Sequence, residues 1–247
     1  MPLRRCQDAF GKAMHDAWRG KLGNVLVIER DDGLIDADFC MKVYLSGPKG
    51  WPPHMRRALA LARGRVLDVG CGAGRHSLYL QQKGLEVLGI DNSPLAVRLC
   101  RERGVAAKTL SITELSPKHG MFDTILMLGN NFGLLGGRRR GRAILRRFHR
   151  MTAPGARIIA ETFDPYLTDN PVHLAYHRRN RRRGRMGGQV RIRARYQTLA
   201  TPYFDYLFVS KAELASLLRG TGWRAARFLD GPGPAYIAVL EKAQTPG

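Results

Sequence analysis

Two carboxylates and three glycines are spaced in this sequence as a small-molecule cleft needs them. Asp68 lies in a short apolar run, Val66-Leu67-Asp68-Val69, which leads into Gly70-Cys71-Gly72-Ala73-Gly74 and then a helical pattern from about Arg75 to Lys83. Glycine reaches backbone angles closed to other residues and lets a ligand approach the main chain. Nucleotide and dinucleotide sites share such a turn, and tight packing alone can also demand it. Asp91 narrows the choice. It stands 21 residues after Gly70, at the end of the next apolar run, Val87-Leu88-Gly89-Ile90, where a carboxylate can accept two hydrogen bonds from a ribose diol. A pyrophosphate would want an open helix N-terminus. Here Arg75 and His76 follow at once, and Asp68 suits an ammonium better than a phosphate.

These residues need regular elements to position them. Apolar runs at 66–69, 87–90, 105–110, 122–128 and 157–162 alternate with helical patterns at 75–83, 94–103 and 138–151. Short buried strands alternating with helices predict an α/β fold: a doubly wound, Rossmann-like sheet, mostly parallel. Trp223–Leu229 and Ala235–Leu240 close it as an antiparallel C-terminal hairpin, after a helix opened by the capping box Ser210-x-x-Glu213. Residues 1–62 read as an N-terminal helical or cap segment, with helices at about 4–18 and 55–62. Residues 63–247 read as the binding domain, carrying a basic, irregular insertion at about 165–200 that ends in an alternating strand, Val190–Tyr196.

Three segments carry a family resemblance. VLDVGCGAG (66–74), GIDNSP (89–94) and FDTILMLGNNFGLLG (122–136) resemble the cofactor motif, ribose segment and active-site loop of the class I S-adenosylmethionine-dependent methyltransferases. The resemblance runs from about Arg65 to Glu241. It implies a methyltransferase sheet, S-adenosyl-L-methionine as cofactor, and methyl transfer by in-line displacement. By resemblance, Gly70, Cys71, Gly72 and Gly74 line the methionine and ribose, Asp68 orients the methionine amino group, and Asp91 with Asn92 holds the ribose diol. Ser111 and Ile112 stand where the family commonly places an acid for adenine. Leu128 and Gly129 complete the cofactor set. Asn130 and Asn131 would sit beside the methyl group, although Gly129-Asn130-Asn131-Phe132 lacks the Pro-Pro-aromatic pattern of amino-methylating nucleic-acid enzymes. His76 is the first candidate base, with His173 and His177 as others. Tyr44, Trp51, Tyr203 and Tyr206 could wall an acceptor pocket.

Charge bears on the acceptor. Lys+Arg is 41 against Asp+Glu 20, and residues 138–195 hold 17 Arg, no Lys and three acids, so +14 of the net +21 is regional. The outer face of the 138–150 helix reads as solvated. The nine arginines of 178–195 suit a carboxylate, a phosphate or an RNA backbone. No aromatic is interleaved between His177 and Arg195 for base stacking, which favours a small or medium-sized polar or anionic metabolite as the substrate partner. RNA methylation, a non-catalytic nucleic-acid-binding module and a nucleotide-dependent oxidoreductase stay open. Cys6, Cys40, Cys71 and Cys100 form no CxxC pair, so neither metal nor disulfide framework is expected. The longest uncharged stretch, 124–137, is too short to span a bilayer, and no secretory signal is visible, so the expectation is a cytoplasmic protein without a membrane partner.

Overall fold

A computed structural model describes residues 1–21, 23 and 25–243. In chain order the elements are α1 (Ala9–Trp18), β1 (Leu26–Arg30), β2 (Ile35–Phe39), α2 (Pro53–Leu59), β3 (Val66–Val69), α3 (Arg75–Gln82), β4 (Val87–Asp91), α4 (Pro94–Glu102), β5 (Ala107–Thr109), β6 (Phe122–Met127), α5 (Arg138–Arg150), β7 (Thr152–Phe163), α6 (Pro171–Arg182), β8 (Gln189–Tyr196), β9 (Leu199–Ala200), β10 (Phe204–Leu207), α7 (Lys211–Leu218), β11 (Trp223–Asp230) and β12 (Ala235–Lys242). Seven strands make one sheet in the order β11-β12-β7-β6-β3-β4-β5. Strands β3, β4 and β5 pair in parallel, as do β6 and β7, whereas β12 runs antiparallel to both β7 and β11. This is the doubly wound sheet with a C-terminal hairpin that the sequence predicts. Among the described residues no helix is long and apolar enough to cross a membrane.

A second sheet, in the order β10-β8-β1-β2 with β9 beside β8, was not expected as a sheet, although its strand β8 is the alternating run Val190–Tyr196 read from the sequence. Strand β1 pairs with β8 from Val27↔Arg195 to Arg30↔Ile192, joining positions more than 160 residues apart. The chain groups into two compact units. One comprises residues 1–51, 64–115 and 191–204, the other 52–63, 116–190 and 205–247.

In the first unit, α1 packs Ala9, Ala13 and Met14 with Leu26, Met41, Ala73, Leu99, Ala194 and Tyr196. Buried Asp8 fastens α1 to α4. Its Oδ1 accepts from the Gly11 amide (3.1 Å) and the Ser93 hydroxyl (2.6 Å), and its Oδ2 from the Leu95 amide (2.9 Å). One carboxylate thereby satisfies donors at two helix N-termini, where such groups otherwise lack partners.

In the second unit, Ile144, Leu145 and Phe148 of α5 are buried as the amphipathic pattern predicts. The opposite face lies in solvent as expected, with Arg138, Arg139, Arg146 and Arg150 exposed and Arg142 half-buried. Three of these side chains also reach the end of α7: Arg138 donates to the Ser216 hydroxyl, Arg142 to the carbonyls of Ser216 and Leu217, and Arg146 to the Gly220 carbonyl. Cations at the C-terminal end of α7 meet carbonyls left over by the helix ladder. The stretch after Pro165 is also more regular than expected. Asn170 Oδ1 caps α6 by accepting from the Val172 amide (2.9 Å), Pro171 sits in the first turn, and Tyr176, His177 and Asn180 are buried. Dense arginine hid the helical period from a pattern reading.

Asp8→Ala leaves three donors short of an acceptor, each costing about 1–3 kcal/mol if it stays buried. Urea denaturation is expected to show a loss of about 2–4 kcal/mol. A change below about 0.5 kcal/mol would contradict the latch.

Candidate functional site

In the first unit, the turn after β3 places Gly70, Gly72 and Gly74 at φ +74°, +53° and +76°. These are left-handed angles that disfavour any side chain. Gly74 has a packing reason as well, because a Cβ there would lie 2.7 Å from Cys100 Sγ. The turn is tied down by hydrogen bonds from the Gly70 and Cys71 amides to the Ile90 carbonyl (2.8 and 3.0 Å) and by Arg103 donating to the Ala73 carbonyl. Cys71 is buried, its Sγ 3.8 Å from that of Cys100.

Asp91 ends β4 beside this turn. Its Oδ2 accepts from the Gly72 amide (3.0 Å) and its Oδ1 from the Ser93 amide (2.9 Å). Burial lifts its pKa to about 6, against the pull of those amides. Asp68 is buried in β3 and accepts from the Ser77 hydroxyl (2.6 Å); burial raises it to about 6 as well, with the Asp91 charge adding to the rise. Asn92 is exposed, and its carbonyl accepts from the Leu3 amide (2.8 Å). Ser111 lies just past β5, where the Leu110 amide donates to the Asp91 carbonyl (2.8 Å); Ile112 is buried. The structure thus gathers Asp68, Gly70, Cys71, Gly72, Gly74, Asp91, Asn92, Ser111 and Ile112 along the ends of three adjacent strands.

His76 is buried on α3, edge-on to Trp51 at 5.1 Å. Burial and the neighbouring Arg75 hold its pKa well below the usual histidine range, so it is neutral. Trp51 is core, and Tyr44 packs edge-on against Phe10 (5.3 Å). Tyr203 donates to Glu29 (2.6 Å), which also takes Arg193 (2.8 Å) and Arg195 (3.2 Å). The Tyr203 hydrogen bond, then those arginines, bring Glu29 down to about 2. Part of the basic strand face is therefore neutralised within the protein.

In the second unit, Leu128 is buried and Gly129 (φ +70°) follows β6. The Gly129 amide donates to Glu161 Oε2 (2.6 Å), and the Oε1 of that carboxylate lies 3.7 Å from His54 Nε2. Both side chains are buried, and the imidazole nitrogen has no hydrogen-bond partner. His54 occupies a notch that a Cβ on Gly231 would close, at 2.7 Å from the ring. Asn130 also has positive φ (+64°). Its carbonyl accepts from the Tyr206 hydroxyl (2.5 Å), and its buried Oδ1 has no partner. Asn131 opens a short 3-10 turn, Asn131–Leu135. His177 is buried edge-on to Tyr166 (5.4 Å), and His173 is half-buried earlier on α6. Glu161 and His54 escaped the sequence reading. The one available signal was an acid inside the apolar run Ile158-Ile159-Ala160-Glu161. Among the described residues no group of three or more His, Cys, Asp or Glu side chains is arranged to hold a metal.

Comparison with known proteins agrees with this geometry. Residues 66–155 match a family described as a methyltransferase domain. A SAM-dependent methyltransferase from Bacteroides fragilis, solved in complex with S-adenosyl-L-homocysteine, is 28% identical over 99% of this chain and 98% of its own, with a TM-score of 0.84. The ubiquinone biosynthesis O-methyltransferase of Pseudomonas aeruginosa is 35% identical over 111 residues, 42% of this chain and 46% of its own. Ribosomal RNA small subunit methyltransferase J of Bdellovibrio bacteriovorus is 30% identical over 116 residues, 45% of each chain. The match spans less than half the length of these two curated relatives.

Asp68 and Asp91 both sit above the ordinary carboxylate range of about 4. Between pH ~4 and ~6 the native state therefore holds protons that the unfolded chain has lost, and stability falls as pH rises through that window. Asp68→Asn is expected to flatten this part of the profile of urea midpoint against pH. An unaltered slope would show that Asp68 titrates normally.

Proposed function

We propose that this chain, which shares a methyltransferase domain over residues 66–155 and the fold of a SAM-dependent methyltransferase, is a class I S-adenosylmethionine-dependent methyltransferase that transfers the sulfonium methyl to a small or medium-sized polar or anionic metabolite. The observation that carries this reading is Asp91. Two backbone amides hold its carboxylate beside three positive-φ glycines, and each oxygen keeps acceptor capacity for one hydroxyl of a ribose diol.

The residues present fit the cofactor. Asp68, a buried acid with its pKa raised, is the group that an ammonium would relieve. Gly72 offers main chain without a side chain. Ser111 and the backbone around Ile112 are the groups assigned to adenine, and Leu128 and Gly129 those assigned to the methionine side. When bound, S-adenosylmethionine supplies an electrophilic methyl on a sulfonium.

An acceptor lone pair would attack that methyl in line, with the carbon–sulfur bonding pair leaving on sulfur. The protein's contribution is chiefly positioning, with a base where the acceptor must lose a proton. We assign that role to His54, because its unpartnered Nε2 lies beside Glu161, whose carboxylate stabilises the imidazolium formed. Asn130, with its buried free Oδ1, is assigned to the acceptor, next to Asn131. His76, buried edge-on to Trp51 with its own Nε2 unpartnered, is the alternative base. RNA as acceptor is the second reading, supported by exposed arginines on α6.

Calorimetric titration with S-adenosylhomocysteine tests the assignment. Wild type is expected to bind, and Asp91→Asn to bind roughly 10–100-fold more weakly, a loss of about 1.4–2.7 kcal/mol. Absence of wild-type binding would reject the proposal. Asp68 and Asp91 must be ionised to hold an ammonium and a diol, so affinity is expected to fall as pH drops through about 6. The drop is roughly tenfold per pH unit for each proton displaced. A flat profile from pH 5 to 7 would remove these acids from the site.

A further inference from the structure

The arginines of residues 138–195 divide into those with partners inside the protein and those without. Arg138, Arg142 and Arg146 meet the C-terminal end of α7; Arg157 donates to the Leu61 carbonyl; Arg185 pairs with Asp205; Arg193 and Arg195 pair with Glu29. The side chains of Arg178, Arg182 and Arg183 are exposed and make no hydrogen bond or ion pair with any described residue. With Arg179 and Ala175 they line a cavity of about 410 Å³.

The spacing explains the cavity. Positions 175, 178, 179, 182 and 183 form one stripe of a helix. Ala175 is the small residue of this stripe, and the pairs Arg178/Arg182 and Arg179/Arg183 set like charges four residues apart. Like charges at that spacing disfavour the helix, and α6 contains no acid to offset them. A cation preference at the helix C-terminus accounts for Arg179, Arg182 and Arg183 but not for Arg178, which lies before the last turn. Arg179 is held over the Tyr176 ring at 4.4 Å, which fixes the plane of its guanidinium.

We propose that this face of α6 binds the phosphate group of a small molecule. Planar guanidinium forks match phosphate oxygens in pairs, and four of them around one cavity suit a multiply charged group better than a single carboxylate. A small ligand is favoured over RNA because the neighbouring rings are already covered: Arg179 lies over Tyr176 and Arg181 over Tyr166 (4.8 Å). No bare aromatic is left on the stripe for base stacking. The further step, that this phosphate belongs to the methyl acceptor, rests on the function proposed above. The phosphate site itself rests on α6 alone.

The probe is inorganic pyrophosphate, titrated calorimetrically into the full chain at low salt. A parallel titration with S-adenosylhomocysteine reports separately on the methyltransferase reading. Wild type is expected to bind pyrophosphate saturably, and the double variant R178Q/R182Q to bind it at least tenfold more weakly with unchanged S-adenosylhomocysteine affinity. R139Q, which removes an exposed charge from α5, is expected to stay within twofold of wild type. The proposal is overturned if pyrophosphate does not saturate, if the double variant binds as wild type does, or if R139Q loses as much as the double variant. Binding of a 12-nucleotide oligouridylate through Arg178 and Arg182, without saturable pyrophosphate binding, would overturn it in favour of RNA.

Discussion

The structure turns on how one carboxylate is held. Asp91 at the end of β4 takes the Gly72 amide on one oxygen and the Ser93 amide on the other. Ser93 caps α4, its hydroxyl accepting from the Ala96 amide while donating to Asp8. Asp8 in turn caps α1. One chain of hydrogen bonds therefore runs from the N-terminal helix through the start of α4 to the glycine turn. A carboxylate with two fixed amides is held in place, so under the proposed assignment a ribose diol would meet a preorganised acceptor at little ordering cost.

The same region stores unfavourable electrostatics. Asp68 and Asp91 are two acids in buried surroundings, and burial holds both to weaker acidity than usual, with the Arg75 charge offsetting only part of the rise at Asp68. Such perturbed groups cluster where ligands supply the missing partners. In the second unit, Glu161 plays a comparable organising role, clamping the Gly129 amide while lying beside an imidazole nitrogen that lacks a partner. A buried polar atom without a hydrogen bond is costly.

Much of this was legible in the chain. The alternation of short apolar runs with helical patterns gave the sheet, because strand and helix periods are local properties. The turn after β3 and the acid ending β4 were legible for the same reason, as was the Ser210–Glu213 capping box, where the Glu213 amide donates to Ser210 Oγ (3.2 Å). What escaped depends on distant pairing. The β1–β8 ladder joins Val27 to Arg195, and the His54–Glu161 contact joins α2 to β7. The partners of several arginines escaped for the same reason. Arg142 and Arg146 reach carbonyls at the end of α7, and Arg193 pairs with Glu29 across the β1–β8 ladder.

The central claim is that the Asp91 carboxylate grips the ribose of an adenosyl ligand. A crystal structure of the chain with S-adenosylhomocysteine tests it directly. The account predicts both ribose hydroxyls within hydrogen-bond distance of Asp91, with the ligand chain running over Gly72 toward Asp68. A ligand seated elsewhere, or one whose ribose leaves Asp91 bonded only to Gly72 and Ser93, would contradict it.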